Sequence, residues 1–253
     1  MSEGMVAQFS DLQNQREREY SLEMLKKEAE LNALQSQINP HFLYNTLDSI
    51  RGQLVAEGMT DAADILEALS KLFRYSINPK TVYNTLEQEL DNIDNYMRIL
   101  HYRFGDRIAF SHVIEGDVAF VMNCEMPKLT LQPIVENAVQ HGMEHREEDG
   151  RIVVRAAISE KGLHICVEDN GAGIAPERLD ELNKKLSEGA PIQKTQGSGI
   201  ALINVNERIR MLYGEYYGLY VYSDEGIGTE VHIWLPVQRA SAVEVIEHTR
   251  GEQ

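Results

Sequence analysis

Cysteine is scarce: Cys124 and Cys166 are the only two in 253 residues, and they form no Cys-x-x-Cys pair. That excludes a disulfide framework, argues against a structural zinc site and points to a reducing compartment. Basic residues are outnumbered, 24 Lys and Arg against 40 Asp and Glu, for a formal net charge of −16. Such a balance excludes broad attraction to nucleic acid or an anionic membrane through net charge, so no direct nucleic-acid contact is expected. It leaves room for a local basic phosphate site. No apolar run reaches the ~18 residues of a membrane span, no secretory signal opens the chain, and no internal repeat is seen. What remains is ordinary globular material, 43% hydrophobic and 25% charged. It suffices for a core, in one large domain or two small ones.

The stretch from Met5 to Ile38 is rich in Glu, Gln, Leu, Lys and Arg and reads as a long helix. Leu22, Leu25 and Ala29 share one heptad register, and Met24, Leu31, Leu34 and Ile38 another. A coiled coil with a stutter has this pattern, and a solvated helix with a narrow apolar stripe is the alternative. Pro40 interrupts the run and predicts a kink. Gly52 and Gly58 predict a turn, and Thr60 caps a second helix to about Ile77, with Ile65, Leu66, Leu69, Leu72 and Phe73 on one face. The two helices form a hairpin, and two hairpins complete a four-helix bundle by dimerising. After Asn78-Pro79, the capping box Thr85-Leu-Glu-Gln88 opens a helix to about Phe104. Beyond it, strand patterns at 107–112, 151–158, 163–168, 217–223 and 229–235 mix with helical patterns at 128–141, 176–186 and 199–212. The expected fold class is α+β, a helical hairpin followed by a two-layer α/β sandwich.

Three short motifs stand in order in the second half. In Leu131-Gln-Pro-Ile-Val-Glu-Asn-Ala-Val-Gln-His-Gly142, the apolar residues take one helix face and Glu136, Asn137, Gln140 and His141 another. A carboxylate, an amide oxygen and an imidazole so spaced can hold Mg²⁺ and phosphate oxygens, since hard cations take oxygen ligands. A solvated amphipathic helix would look the same. In Val167-Glu-Asp-Asn-Gly-Ala-Gly-Ile174 a strand ends in Asp169, which can accept a hydrogen bond from an adenine amino group. Gly171 and Gly173 then allow positive φ and close approach of a ligand. A plain Asp-Asn-Gly turn is the alternative. In Gly197-Ser-Gly-Ile-Ala-Leu-Ile-Asn-Val-Asn-Glu-Arg208 glycines run into a helix N-terminus, where a phosphate could sit. It is neither a Walker-type P-loop nor a dinucleotide fingerprint. Arg208 can be read as purely structural. A polar segment with Lys184, Lys185, Glu188, Gly189, Pro191 and Lys194 has the composition of a lid. Gly226-Ile-Gly-Thr-Glu230 can be a simple hairpin turn.

Taken together in this order, the motifs resemble the ATP-binding domain of the GHKL superfamily, and most closely LytS/YesM-type sensor histidine kinases. The resemblance covers about residues 30–237 and includes Gln37-Ile-Asn-Pro-His-Phe-Leu-Tyr-Asn-Thr-Leu47. It implies a two-component sensor kinase that uses ATP and Mg²⁺, works as a homodimer and passes phosphate to the receiver domain of a response regulator. Asn137 would be the Mg²⁺ ligand, with Glu136 a further candidate, and His141 would touch phosphate. Asp169 would read adenine, with Thr229 supporting the adenine pocket. Gly171 and Gly173 would form the first glycine box, Gly197 and Gly199 the second. The expected organisation is a signalling helix at 1–36, dimerisation and phosphotransfer helices at 37–80, a catalytic domain at 81–237 and a tail at 238–253. The chain resembles the cytoplasmic portion of a membrane-anchored bacterial kinase, reaching a membrane only through an upstream segment.

His41, in the first of these matches, is the expected phosphoacceptor. A free imidazole with a pKa of ~6.5 is partly neutral and nucleophilic near neutral pH. Histidine kinases commonly follow this residue with an acidic base, but Phe42 follows here, so the proton acceptor stays open. Asn45, one turn on, resembles a residue that positions water for dephosphorylation; Asp48 lies about two turns on, and Asn39 could bridge the Pro40 kink. His141 and His145 have i, i+4 zinc-ligand spacing but no third ligand. Two other classes stay open: a GHKL-type ATPase, disfavoured because Pro133 stands where its catalytic carboxylate belongs, and a non-catalytic interaction module.

Overall fold

The computed structural model describes residues 40–77, 81–142, 149–188 and 199–239. The expected signalling helix, Asn39, the 78–80 joint, His145, Gly197 and most of the tail lie outside them. So do the lid residues Gly189, Pro191 and Lys194. The chain divides into two units that meet between Ser70 and Lys71.

The first unit is a helical hairpin. Helix α1 (Pro40–Ala56) and helix α2 (Thr60–Ile77), which runs on into the second unit, flank a tight turn. Gly58 closes that turn at φ 76°, where its N–H reaches the Val55 carbonyl at 3.1 Å. Gly52, expected in the turn, lies inside α1 instead, because one glycine costs a helix only ~1 kcal/mol. The turn forms where the backbone needs a positive φ, and that is Gly58. Arg51 and Glu67 join the helices at 3.3 Å. The hairpin buries little beyond Ala63, Ala68 and Ser70, and Ile50, Val55 and Met59 remain exposed.

The second unit is an α/β sandwich. Its elements are β1 (Tyr83–Thr85), α3 (Leu86–Phe104), β2 (Ile108–Ile114), α4 (Val118–Met122), β3 (Glu125–Pro127), α5 (Gln132–Asn137), β4 (Gly150–Ser159), β5 (Gly162–Asp169), α6 (Pro176–Glu188), α7 (Ile200–Tyr213), β6 (Gly218–Asp224) and β7 (Gly228–Leu235). Five strands form one sheet in the order β2-β4-β5-β7-β6, parallel only between β2 and β4. β1 and β3 make a separate antiparallel pair. Strand periodicity sends Ile152, Val154, Leu163, Ile165, Val167, Val231, Ile233 and Leu235 into one core with Leu86, Leu90 and Ile93 of α3 and Leu202, Val205 and Ile209 of α7. The opposite face carries Arg151, Arg155, His164, Cys166, His232 and Trp234.

Helix α3 opens as the sequence predicts: Thr85 Oγ1 accepts from the Gln88 N–H, and the Gln88 side chain accepts from the Thr85 N–H. The edge strand β6 is closed by side chains. Asn206 Oδ1 accepts from Leu219 N–H at 2.8 Å, and Asn183 Oδ1 accepts from Val221 N–H at 3.0 Å. Both asparagines also donate to carbonyls, of Leu186 and Val221, so the exposed row of an edge is satisfied. Three residues of the expected lid, Lys184, Lys185 and Glu188, instead end α6. Leu182 and Leu186 bury that helix, and Lys185 pairs with Glu181 one turn back at 2.7 Å.

Candidate nucleotide site and phosphoacceptor helix

The helix expected over 128–141 is shorter and changes character. It starts at Gln132 and, right after Asn137, widens into π-helical turns over Ala138–Gly142. Such widening is frequent at functional sites. No side chain caps α5; the buried carboxylate of Glu89 on α3 instead anchors the turn that leads into it. It accepts the N–H groups of Leu129 at 2.6 Å, Thr130 at 2.9 Å and Leu131 at 2.9 Å, and the hydroxyl of Tyr75 donates to it as well. Burial pushes the Glu89 carboxyl up, and these donors pull it back. Leu129, at φ 60°, is held from its other side by Arg208, which donates to its carbonyl at 2.8 Å and to Thr130 Oγ1 at 3.3 Å. Arg208 is therefore structural here. Glu89 had one legible signal: it falls on the apolar stripe of Leu86, Leu90, Ile93 and Met97.

On α5, Gln132 spans two partners. Its amide nitrogen donates to Glu136 at 2.7 Å, and its oxygen accepts from buried Asn92 at 2.7 Å. Next to them, burial and the Glu136 charge push Tyr96 up to about 12. Asn137 is half-buried and makes no side-chain hydrogen bond among the described residues. An amide oxygen and a carboxylate oxygen, neither with a hydrogen-bond partner among the described residues, suit a hard, partly hydrated cation such as Mg²⁺. Of His141 only the backbone, in the π segment, is described.

That π segment touches β7, which carries Thr229, and α5 packs on α7, which begins after Gly199. Thr229 is the register partner of Asp169. Asp169 is buried, and its Oδ1 accepts the Gly171 N–H at 2.8 Å. Burial raises its carboxyl to about 6, against the pull of the Gly171 and Thr229 N–H groups. Asp169, Gly171 and Thr229 thus stand together. The glycines divide their roles differently from the expectation. Gly171 is not among the positive-φ residues, whereas Gly173 is, at 67°. A Cβ on Gly173 would sit 2.0 Å from the Asp224 carbonyl oxygen, so its close approach is to the β6–β7 turn. Gly228 was hidden in a turn-like motif, yet a Cβ there would meet the Asp169 carbonyl oxygen at 2.0 Å. Gly199 stands at φ 100° at the N-terminus of α7.

On α1, His41 is exposed, and Asn45 Nδ2 lies 3.3 Å from its Nδ1. The i, i+4 spacing alone brings the amide to the ring.

Residues 29–108 match the family described as histidine kinase, and residues 127–239 match the histidine kinase-, DNA gyrase B- and HSP90-like ATPase family. The chain is 38% identical over 214 residues to the sensor histidine kinase YesM of Bacillus subtilis (strain 168), covering 85% of this chain and 34% of that one. It is 34% identical to the sensor histidine kinase YpdA of Escherichia coli (strain K12), over 92% of this chain and 39% of that one. It is 31% identical to the sensor protein LytS of Bacillus subtilis (strain 168), over 99% of this chain and 40% of that one. It therefore spans well under half the length of these relatives. No helix among the described residues is long and apolar enough to cross a membrane.

Proposed function

Because the chain belongs to the LytS/YesM-type sensor histidine kinases, with a histidine kinase region followed by a GHKL ATPase region, we propose that it phosphorylates itself on His41 with ATP and passes the phosphoryl group to an aspartate of a response-regulator receiver domain. The observation that carries this reading is the pairing of two features. One is an exposed His41 with an amide on its Nδ1; the other is a separate α/β unit whose buried Asp169, and Asn137 without a side-chain hydrogen bond among the described residues, suit adenine and a cation. With the Asn45 amide turned so that Oδ1 accepts the Nδ1 proton, the lone pair lies on Nε2. Nε2 then attacks the γ-phosphorus in line, the bond to the β–γ bridging oxygen breaks, and ADP leaves. The same amide would hold a water during dephosphorylation.

Asp169 accepts the adenine amino group, and Thr229 lines the pocket with it. Gly171 and Gly199 leave room beside the nucleotide and Gly173 supports the β6–β7 turn next to it; Gly197 and His141, by the family resemblance, take part in phosphate binding. Asn137, with Glu136 as a further ligand, would hold Mg²⁺, which would neutralise charge on the phosphates. The chain acts as a homodimer through its α1–α2 hairpin, as the cytoplasmic portion of a membrane-anchored sensor.

The test uses γ-labelled ATP. Wild type should acquire acid-labile, base-stable label, His41→Gln should acquire none, and Asn137→Ala should lose Mg-dependent labelling. Undiminished label on His41→Gln would overturn the assignment. Release of free phosphate with no phosphoprotein would favour a simple ATPase.

A further inference from the structure

The face of the sheet turned away from the helices carries a cluster that nucleotide chemistry does not use. Cys166 on β5 and His232 on β7 are direct cross-strand partners, and Glu230 stands two residues before His232 on the same face. The Cys166 Sγ, a Glu230 carboxylate oxygen and a His232 ring nitrogen all lie within 4.8 Å of one another. They line a depression of about 240 Å³ with Arg155, His164 and Glu168. His232 Nε2 is 3.9 Å from the sulfur and 3.1 Å from Glu230 Oε2. A tetrahedral zinc ion with bonds of about 2.3 Å to sulfur and about 2.0–2.2 Å to nitrogen and oxygen needs edges of about 3.3–3.6 Å between these atoms. The two edges at His232 reach that with shifts of a few tenths of an ångström, because strand register has set Cys166 opposite His232; the Cys166–Glu230 edge, within 4.8 Å, closes by rotation of the exposed Glu230 side chain.

The surroundings suit a metal. His164 Nε2 lies 2.9 Å from His232 Nδ1, so it can accept the Nδ1 proton and leave Nε2 free as a ligand. Both rings are held in place: Trp234 stacks on His164 at 4.3 Å, and Tyr222 meets His232 edge-on at 5.0 Å. Arg155 is drawn aside to Glu168 at 3.5 Å. Cys166 itself is buried, and burial together with Glu230 and Glu168 holds its thiol up at about 11. A divalent cation reverses that balance, since one thiolate and one carboxylate neutralise it. The thiol proton leaves to solvent on binding. Glu230 and His232 keep 51% and 21% side-chain exposure, so an ion can enter and a fourth position stays open to water.

We propose that Cys166, His232 and Glu230 form a binding site for a thiolate-preferring divalent transition-metal ion, Zn²⁺ foremost, on the outer face of the sheet, with His164 as the positioning residue. The mixed sulfur, nitrogen and oxygen set excludes Mg²⁺ and Ca²⁺ as its natural occupants. The site is independent of the kinase reading.

Titration of the full chain with Co²⁺ tests it. One equivalent should produce a thiolate-to-cobalt charge-transfer band that Zn²⁺ displaces. Zn²⁺ should also raise the thermal unfolding midpoint by linking β5 to β7. Cys166→Ala should lose the band, and Cys124→Ala should keep it. Glu230→Gln, at an exposed position, should weaken Zn²⁺ at least tenfold in chelator competition. His164→Ala should weaken it about 10–100-fold while the band remains. Absence of the band in wild type, its survival in Cys166→Ala, or unchanged affinity in Glu230→Gln would each overturn the proposal.

Discussion

Asp169 sits where its charge is penalised, and that has consequences with opposite signs for stability and for binding. Its carboxyl titrates at about 6 in the fold and at ~3.9 in an unfolded chain. Between those values the unfolded chain sheds its proton first, so this group's contribution to stability falls as pH rises through the window and is level above it. Binding of an adenine amino group runs the other way, because it needs the ionised acceptor. ADP affinity, read by titration calorimetry, should therefore fall as pH drops below about 6, by up to about tenfold per pH unit. Asp169→Asn should weaken binding about tenfold or more and remove this slope. A neighbouring pair of glycines separates strain from contact. Gly226→Ala meets open space and costs only its positive φ, ~1–2 kcal/mol. Gly228→Ala adds a collision with the Asp169 backbone. It should lower the thermal midpoint further and abolish ADP binding, whereas Gly226→Ala should retain it.

At the scale of elements, α5 depends on a residue from another helix. Glu89→Ala leaves three N–H groups near the helix start without an acceptor, at about 1–3 kcal/mol each when buried. A loss of at least ~3 kcal/mol in urea denaturation is expected, with Glu89→Gln losing less because its amide oxygen still accepts. The five strands of the main sheet, α3 and α7 were legible because each spans several periods of its own pattern. β1 and β3, three residues each, were not, since three residues carry no period. The break from α-helix to π-helix after Asn137 was equally silent. The sequence there is amphipathic throughout, and Glu89 and Arg208, distant in sequence, set where the helix starts.

Across the whole molecule, the two units differ in how well they satisfy themselves. The α/β unit has a continuous core. The hairpin leaves Ile50, Val55 and Met59 exposed, as half of a bundle would. Ile50→Asp should shift the chain towards monomer in sedimentation velocity while ADP binding by the α/β unit is unchanged. Loss of ADP binding in that variant would show that the two units do not act separately.

The sequence by itself determined the class of fold, the order of motifs and the family, because periodicity, caps and short glycine and asparagine motifs are local properties. It also placed His41 and Asn45 together, since one helical turn joins them. Tertiary structure alone decided what surrounds each site. It buried Asp169 and raised its carboxyl, let the Asp169 carbonyl rest against Gly228, and made Glu89 the anchor of the turn before α5, 40 residues away. It also set Cys166 opposite His232, 66 residues apart. These are pairings across strands and layers, fixed by sheet register and core packing, and no local pattern in the chain encodes them.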